Sequence, residues 1–393
     1  MITEAEARKR ILERVTELPP RKVPLEHALG CFVVQEITAP LPLPLFDNSA
    51  MDGYAVVAED CRKGGRLRVV GEQPANIDRG LQIKSGEAVR IFTGAPIPRG
   101  ADAIVMQEDV TCDGTEVVIN TEVASGEFIR RRGCELSQGQ KILATGERLN
   151  PTRIALLAAQ GFCDVSVGGE ARVAIVSTGD EVVQPGCELQ PGQLYESNSI
   201  LLRNLVKSCG VTVVSTRHAR DHIEDLTAKL AEGLKYDALI VTGGVSVGDR
   251  DLVKPVLRQL GVEINLWRVA IKPGKPFLFG HAAKCAVFGL PGNPVSTFVT
   301  FVLLVRPALL KMMGAQDEAA RWPTILARLG CDVENPSDRP HYVRGEIRDG
   351  TFTPMGRQES HALFGLSRSN ALLFIAPGEK FLAGTTVGLY SWA

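Results

Sequence analysis

The sequence predicts a multidomain protein that joins an α/β domain to all-β domains. Residues 50–140 hold short β-like runs that Gly, Pro and Asp turns interrupt. From Ala171 onward apolar strands alternate with helices, and after Arg321-Trp322-Pro323 the chain returns to short strands. At roughly 150 residues per domain, a chain of this length should form two to four domains.

The N-terminal region predicts an amphipathic helix over residues 4–17, because Ala7, Ile11 and Val15 share one helical face. The helix should stop before Pro19-Pro20. The segment APLPLPL at 39–45 alternates proline, so it should be extended and mark a domain boundary.

An inserted β module then follows, with strands expected at YAVVA, LRVVG, AVRIF, AIVMQ and EVVIN. Residues 151–161 (PTRIALLAAQG) predict a helix, with Pro at its first turn and Gly just past its end.

The next region alternates strands and helices: RVAIVST, SILLRNLVKSCG, VTVVS, IEDLTAKLAEG, DALIVTG, DRDLVKPVLRQLG and CAVFGLPG. Such alternation implies a parallel sheet covered on both faces. The runs TILARL, HYVRGEI, ALLFIA and TTVGLYSW near the C-terminus predict a small β-barrel or sandwich.

Composition excludes several functional classes. The 44 Lys plus Arg residues nearly balance the 45 Asp plus Glu residues, which leaves no global field for nucleic acid or anionic membranes. Nine cysteines without a C-x-x-C pair argue against a disulfide framework and a structural zinc site. Because we find no signal-peptide pattern and no apolar stretch approaching roughly 20 residues, we expect a cytoplasmic protein.

Three predicted strands end in small polar loops, which the strand order should bring to one crevice. The loops are residues 177–181 (STGDE), 242–246 (TGGVS, with Gly243, Gly244 and Ser246) and 290–296 (LPGNPVS). A single Gly-Gly turn is usually only a turn, but three such loops together favour a phosphate or oxyanion site. Lys272 and Lys275 lie in KPGKP, whose prolines favour a fixed anion clamp over solvated lysines.

Carboxylates occur at or near the same strand ends: Asp180, Glu181, Asp221, Asp249 and Asp251. Oxygen-rich groups of this kind suit Mg²⁺ beside phosphates, although some of them should only cap helices. We select Glu181, Asp221 and Asp249 as functional candidates. His218 and His222 are four apart, but the loop predicted between them favours exposed histidines over a metal pair.

Standard motifs for kinases, dehydrogenases and hydrolases are absent from the sequence. Six segments instead strongly resemble, in order, the molybdopterin molybdenumtransferases, which include the bacterial MoeA proteins and the gephyrin E domain. The segments are FDNSAMDGYA (46–55), IFTGAPIPRGADAIVMQED (91–109), STGDE (177–181), TGGVSVGDRD (242–251), IKPGKP (271–276) and GLPGNPVS (289–296).

The resemblance covers nearly the whole chain and implies four parts. Residues 1–38 would form an N-terminal segment completed by 140–168, and 39–139 an inserted β domain. Residues 169–318 would form the α/β molybdopterin-binding domain, and 319–393 a C-terminal β-barrel.

The resemblance also implies the reaction. Relatives insert molybdenum from molybdate into adenylylated molybdopterin and release AMP, with Mg²⁺ as the implied cofactor. Molybdate is a tetrahedral dianion, which Lys272, Lys275, Arg344, Ser360 and Ser367 are expected to bind by charge-assisted hydrogen bonds. The loop Pro291, Gly292, Asn293 and Pro294 would shape that pocket, while Glu181, Asp221 and Asp249 would bind the metal or orient the nucleophile.

The family motif further makes Asp52 and Thr93 functional positions, although FDNSAMDGYA by itself reads as a turn. The resemblance implies a homodimer with composite sites, and partnership with a molybdopterin adenylyltransferase and molybdoenzyme maturation proteins. One departure is Gly133-Cys134-Glu135, where relatives usually have Gly-Glu-Asp. Glu135 is therefore not a selected site residue.

Two alternatives stay open. A molybdopterin adenylyltransferase would share the α/β domain but needs neither FDNSAMDGYA nor the flanking β domains. A non-catalytic scaffold could dispense with Asp52, the lysines and the carboxylates, all of which are present. The sequence does not distinguish molybdate from tungstate.

Overall fold

The computed structural model describes residues 1–245, 252–316 and 322–392. The chain forms two compact units, one of residues 1–35 with 145–393 and the other of residues 36–144. Three residues named above as site candidates or neighbouring carboxylates lie outside the described residues: Ser246, Asp249 and Asp251. The expected domain boundary at 318/319 lies outside them as well.

The described helices are α1 Glu4–Arg14, α2 Pro151–Ala159, α3 Asn198–Ser208, α4 Ile223–Gly233, α5 Val253–Gln259, α6 Pro294–Thr300, α7 Arg306–Met312 and α8 Leu363–Ser367. A π-helical turn, Phe301–Val305, joins α6 to α7. The described strands of the first half are β1 Arg21–Pro24, β2 Ile37–Thr38, β3 Asn48–Ser49, β4 Gly53–Val56, β5 Arg66–Gln73, β6 Glu87–Ile91, β7 Ala103–Met106, β8 Val110–Asp113, β9 Glu116–Ile119, β10 Ile129–Arg130, β11 Lys141–Leu143, β12 Asp164–Val167 and β13 Arg172–Thr178. The remaining strands are β14 Val182–Val183, β15 Leu194–Tyr195, β16 Thr212–Ala219, β17 Ala238–Thr242, β18 Glu263–Trp267, β19 Leu278–Ala282, β20 Cys285–Leu290, β21 Thr324–Leu329, β22 Val333–Glu334, β23 His341–Arg348, β24 Thr351–Pro354, β25 Ala371–Ile375, β26 Lys380–Phe381 and β27 Thr386–Ser391.

Local chemistry explains where the first two helices begin. The Thr3 hydroxyl accepts a hydrogen bond from the Glu6 amide and caps α1, which buries Ala7 and Ile11. This helix ends at Arg14, earlier than expected, because Val15 already has an extended backbone. The Asn150 side chain likewise accepts from the Arg153 amide at the start of α2.

The unit of residues 36–144 is built on a six-stranded sheet with the order β7-β4-β6-β5-β9-β8. Its pairs are antiparallel except β5 with β6. Gly53 is required in β4, since a Cβ at this position would lie 2.0 Å from the Val105 carbonyl oxygen on β7. The motif FDNSAMDGYA therefore spans β3 and most of β4 and the turn between them.

The α/β domain in the other unit contains a six-stranded sheet with the order β16-β13-β17-β20-β19-β18. The first four strands are parallel, and apolar clusters that include α3, α6 and α7 on one face and α4 and α5 on the other cover both sides. The expected parallel sheet is present in these four strands, and it is extended at one edge by β19, which runs antiparallel to both β20 and β18. A two-residue turn joins β19 to β20, which leaves no room for a crossover helix.

The C-terminal strands form a closed barrel with the order β21-β24-β23-β25-β27, which confirms the predicted barrel. Its core contains Leu329, Phe352, Leu373 and Leu389. The predicted fold class, α/β plus all-β, is likewise confirmed, with the sheet mixed rather than parallel.

We expected no apolar stretch of nearly membrane-spanning length, and this expectation is wrong, because one helical segment has both the length and the apolar composition. Within the described residues, the 19-residue helical segment Pro294–Met312 has a mean hydropathy of 1.6 over its most apolar window. This window is 89% buried inside the protein, which is the pattern of a core helix.

Candidate functional site

The carboxyl ends of the parallel strands β13, β17 and β20 open into a cavity of about 780 Å³. Its lining includes eight residues that the sequence selected: Glu181, Asp221, Gly243, Gly244, Pro291, Gly292, Asn293 and Pro294. The three polar loops therefore do meet at one crevice, as the strand order requires.

Hydrogen bonds fix two of these loops to each other. The side-chain amide of Asn198, at the start of α3, donates to the Thr242 hydroxyl (3.1 Å) and to the Gly292 carbonyl (2.6 Å). Thr242 in turn donates to the Pro291 carbonyl (3.1 Å). Sequence reasoning missed Asn198, because only the fold brings the start of α3 to the ends of β17 and β20.

The Gly243-Gly244 turn has a backbone that other residues rarely adopt, with φ of +88° and +61°. A Cβ on Gly243 would lie 2.8 Å from both the carbonyl and the hydroxyl oxygen of Thr178. The turn therefore brings its backbone directly over the end of β13 at the cavity wall. The Thr178 hydroxyl is buried beneath it and has no hydrogen-bond partner among the described residues.

Carboxylates lie close together at one side of this cavity. The Asp221 amide donates to Asp180 Oδ1 at 3.1 Å, and the Asp180 amide lies 3.4 Å from Asp221 Oδ2. Burial raises the pKa of Asp221, and the negative charges of Asp180 and Glu181 raise it further. Excess negative charge of this kind favours binding of a cation.

Within the described parts of the chain, His, Cys, Asp and Glu form no group of three or more that could hold a metal ion. Mg²⁺ often binds through only one or two carboxylates, with substrate phosphates and water completing its shell. Glu181 and Asp221 fit that donor set, since both are hard oxygen ligands that line the same cavity.

The sequence predicted that His218 lies in an exposed loop, and this prediction is wrong. His218 belongs to β16 and pairs with Ser177 of β13, and its Nδ1 lies 3.1 Å from the Ser177 hydroxyl. The strand continues to Ala219, so only the last residues before α4 form the loop. His222 is exposed, as expected.

A smaller cavity of about 330 Å³ lies next to the large one and shares Pro276, Pro291 and Asn293 with it. Lys272, Lys275 and Arg339 contribute positive charge to its lining, and Glu359 contributes a negative charge. The segment between β24 and α8 forms part of the wall, where the Asn293 side-chain amide donates to the Ser360 hydroxyl at 2.9 Å. The lysines, Asn293 and Ser360 are thus brought together, as an anion site requires.

Within the described residues, the linings of the two cavities do not include Arg344 or Ser367, so their role as oxyanion ligands stays a prediction. Arg344 lies inside β23 and is 1% exposed, and its guanidinium donates to the Arg357 carbonyl. Ser367 is exposed on α8 and donates to the Phe364 carbonyl at 2.8 Å. The arginine that does reach the smaller cavity is Arg339, in the loop before β23, and a preference for loop over strand residues would have selected it.

His341, beside this cavity, is a buried neutral histidine. Burial, together with the smaller effects of the charges on Lys272 and Arg344, lowers its pKa to about 4. An unfolded chain, with an ordinary pKa near 6.5, therefore binds more protons than the folded protein between these values. Stability from this group is complete above about pH 6.5 and is lost as the pH falls toward 4.

We therefore expect the free energy of unfolding to fall between pH 7 and pH 5 by about 2 kcal/mol more in the native protein than in His341→Gln. Denaturant unfolding at the two pH values measures this difference. Glutamine is not titratable, so the difference between the two proteins isolates this histidine. Equal losses in both proteins would show that His341 is not held neutral by the fold.

In the unit of residues 36–144, Asp52 and Thr93 lie together. The Thr93 amide and hydroxyl donate to Asp52 Oδ1 at 2.7 and 2.8 Å. These two bonds, and the charge of Arg90, hold the pKa of Asp52 below its ordinary value. Asp52 is therefore ionised at neutral pH.

The other polar residues of FDNSAMDGYA have structural partners. Asp47 accepts from the Arg131 side chain and the Arg132 amide, both at 2.7 Å. Ser49 Oγ lies 2.6 Å from the Met51 carbonyl, as in a turn. Asn48 and Ser49 themselves form the short strand β3, the turn follows at residues 50–52, and Asp52 holds a partly exposed carboxylate next to Thr93.

Comparison with known proteins covers almost the whole chain. Residues 2–161 match the MoeA N-terminal region (domain I and II), residues 174–311 a probable molybdopterin-binding domain, and residues 326–392 the MoeA C-terminal region (domain IV). These matches confirm the resemblance found in the sequence.

Curated relatives include a molybdopterin molybdenumtransferase of Haemophilus influenzae, 35% identical over 98% of both chains. Molybdopterin molybdenumtransferase 2 of Mycobacterium tuberculosis is 36% identical over 93% of both. The crystal structure of the molybdopterin biosynthesis MoeA protein from Pyrococcus horikoshii OT3 superposes over 100% of both chains with a TM-score of 0.85 and 29% identity. The chain therefore belongs to the MoeA family, the family of the molybdopterin molybdenumtransferases.

Proposed function

We propose that this protein transfers molybdenum from molybdate to adenylylated molybdopterin and releases AMP, as the last step of molybdenum cofactor synthesis. The observation that carries the proposal is the pair of adjoining cavities, one large and carboxylate-bearing, the other small and cationic. A nucleotide-linked substrate and a tetrahedral dianion need two such sites side by side.

The large cavity is assigned to the adenylylated pterin. About 780 Å³ is within the range of cofactor pockets, and its polar loops provide hydrogen-bonding groups along the walls. The Gly243-Gly244 turn leaves backbone rather than side chains at the wall, which suits close approach of a phosphoryl group.

Glu181 and Asp221 would hold Mg²⁺, with Asp249 as a further candidate. When bound, Mg²⁺ would neutralise charge that develops on the phosphoryl oxygens during adenylate cleavage. The residues' own contribution is to keep two carboxylates at one side of the cavity, where burial first, and then the charges of Asp180 and Glu181, raise the pKa of Asp221.

The small cavity is assigned to molybdate. Lys272, Lys275 and Arg339 would donate charge-assisted hydrogen bonds to its oxygens, and the Ser360 hydroxyl is held in place by Asn293. Pro291 and Asn293 belong to both cavities, so the two substrates would meet across this short segment.

Asp52 and Thr93 are proposed to act on the substrate within a homodimer, a state that sedimentation velocity would test as a mass near twice 42.4 kDa. We also propose a cytoplasmic location, and delivery of the adenylylated pterin by a molybdopterin adenylyltransferase. Molybdoenzyme maturation proteins would accept the product.

The test of the function is direct. Purified protein is incubated with adenylylated molybdopterin, molybdate and Mg²⁺, and both AMP and active cofactor are measured. The proposal expects AMP and active cofactor to rise together and to require molybdate. Absence of AMP release where a MoeA relative works would refute it.

A lysine substitution tests the assignment of the smaller cavity. Lys275→Met removes one positive charge from its lining, so we expect the KM for molybdate to rise roughly tenfold or more. The affinity for AMP should change by less than about threefold, because Lys275 is not among the described residues that line the large cavity. The matched control is Lys284→Met at an exposed position, which should behave like the native protein. An unchanged molybdate KM in Lys275→Met would contradict the assignment.

A further inference from the structure

We infer that Arg90 is a positioning residue for Asp52, which it holds through a ring of hydrogen bonds around the Asp52-Gly53 peptide. The inference rests on the proposed function, in which Asp52 acts on the substrate. All groups involved belong to the unit of residues 36–144.

The ring joins three strands or strand ends. Arg90 on β6 donates from Nη1 to the Gly53 carbonyl (3.4 Å) and from Nη2 to Gln107 Oε1 (2.6 Å). The backbone amide of Gln107 then donates to the Asp52 carbonyl at 3.1 Å. The carbonyl groups on both sides of the Asp52-Gly53 junction are therefore held, one by Gln107 and one by Arg90.

Aromatic contacts fix the guanidinium itself. Its central carbon lies 5.0 Å from the centroid of the Tyr54 ring and 5.2 Å from that of Phe92. Cation–π contacts of this kind favour a flat guanidinium, which a lysine cannot imitate. The two rings thus hold the Arg90 guanidinium in the position from which it donates to the Gly53 carbonyl and to Gln107.

The Asp52 side chain has a second support, since Thr93 donates two hydrogen bonds to Oδ1. With the backbone held by Gln107 and Arg90, and the carboxylate by Thr93, little freedom remains for Asp52. Catalytic groups depend on such restraint, because a displacement of about 1 Å can cost roughly a hundredfold in rate.

The charges around Asp52 determine what substitution of Arg90 should do. Thr93 makes the largest contribution to the lowered pKa of Asp52, and Arg90 adds a smaller one in the same direction. Glu108 is the nearby carboxylate on the Gln107 side, where it accepts from Gln107 Nε2 at 3.1 Å. Loss of the Arg90 charge should therefore move the pKa of Asp52 upward.

A purely structural role for Arg90 would make different predictions. An arginine that only ties β6 to β4 and Gln107 would affect stability when replaced, without altering the titration of Asp52. The experiment therefore needs a readout at Asp52 that does not depend on turnover.

The Thr93 amide supplies that readout, because it donates to Asp52 Oδ1 at 2.7 Å. Its amide shift in the full-length protein, followed by NMR against pH without substrate, should titrate with Asp52. Asp52→Asn should abolish the titration, which assigns it. Arg90→Met should raise the midpoint, and Arg90→Lys should restore most of it by restoring the charge.

Turnover separates position from charge. Gln107→Met leaves every charge unchanged but opens the ring, so kcat should fall roughly tenfold or more while the Thr93 midpoint stays near its native value. Arg90→Lys should likewise lose kcat. The matched control is Arg68→Met, on the same sheet, which breaks an exposed ion pair with Glu87 and should change neither quantity.

The outcomes are distinct. Native turnover in Gln107→Met and Arg90→Lys, or an unmoved Thr93 midpoint in Arg90→Met, would overturn the role of Arg90. If the native protein releases no AMP, the proposed function fails. The Thr93 titration still decides whether Arg90 controls the state of Asp52.

Discussion

Replacing Asp52 by asparagine is expected to lower kcat by roughly a hundredfold or more, which is the range for loss of a positioned acid or base. Asparagine keeps an oxygen that accepts from the Thr93 amide and hydroxyl, so the geometry at Oδ1 should persist. Only the negative charge is removed. Stopped assays of AMP release at saturating substrates measure the effect.

The fold should not be affected by this change. Asp52 is partly exposed, and asparagine keeps the oxygen that Thr93 contacts, so the free energy of unfolding should stay near the native value. Asp113→Asn is the control, since this exposed carboxylate pairs with Arg66 in the same unit and should leave turnover native. Native turnover in Asp52→Asn would reduce the motif FDNSAMDGYA to a structural turn.

Replacing Gly243 by alanine is expected to damage the large cavity and the stability of the α/β domain together. Alanine at φ +88° costs about 1 to 2 kcal/mol in backbone strain. Its Cβ would also lie 2.8 Å from the Thr178 carbonyl, a backbone atom that cannot easily move. We therefore expect a total loss of about 2 to 4 kcal/mol in the free energy of unfolding.

Affinity for AMP should fall roughly tenfold or more in the same variant, because relief of the clash requires the turn to move away from β13. The control is Gly210→Ala, where φ is +81° but, in the part of the chain that the structure describes, no atom beyond the two neighbouring residues lies within 4 Å of the added Cβ. It should show the backbone cost alone and native AMP affinity. Similar AMP affinity in both variants would mean that the turn does not form the nucleotide wall.

Much of the fold was accessible from periodicity and punctuation. The strand–helix alternation after Ala171 identified β13, β16, β17 and β20, because buried parallel strands read as unbroken apolar runs. The strands β18 and β19 were missed, since neither is followed by a helix. The reversed direction of β19 depends on a two-residue turn before β20, which apolar periodicity does not reveal.

The candidate site divides in the same manner. Glu181, Asp221 and the glycine loops follow strands, so their convergence could be predicted from strand order alone. The burial of Arg344 could not be predicted, because a side chain within a strand can face either side, and this one is 1% exposed. Its neighbour Arg339 reaches the small cavity only because the barrel packs against the α/β domain there.

FDNSAMDGYA shows the same limit on a smaller scale. Its residue types are those of a turn, and a turn is present at residues 50–52, where the Ser49 hydroxyl donates to the Met51 carbonyl. Nothing in the string indicates that Arg90 and Gln107, far along the chain, hold the peptide next to Asp52. Local sequence determines which backbone shapes are allowed and which side chains are polar, so it was sufficient for the elements and the family. The partners of each side chain depend on contacts between distant segments, and these only the tertiary structure decides.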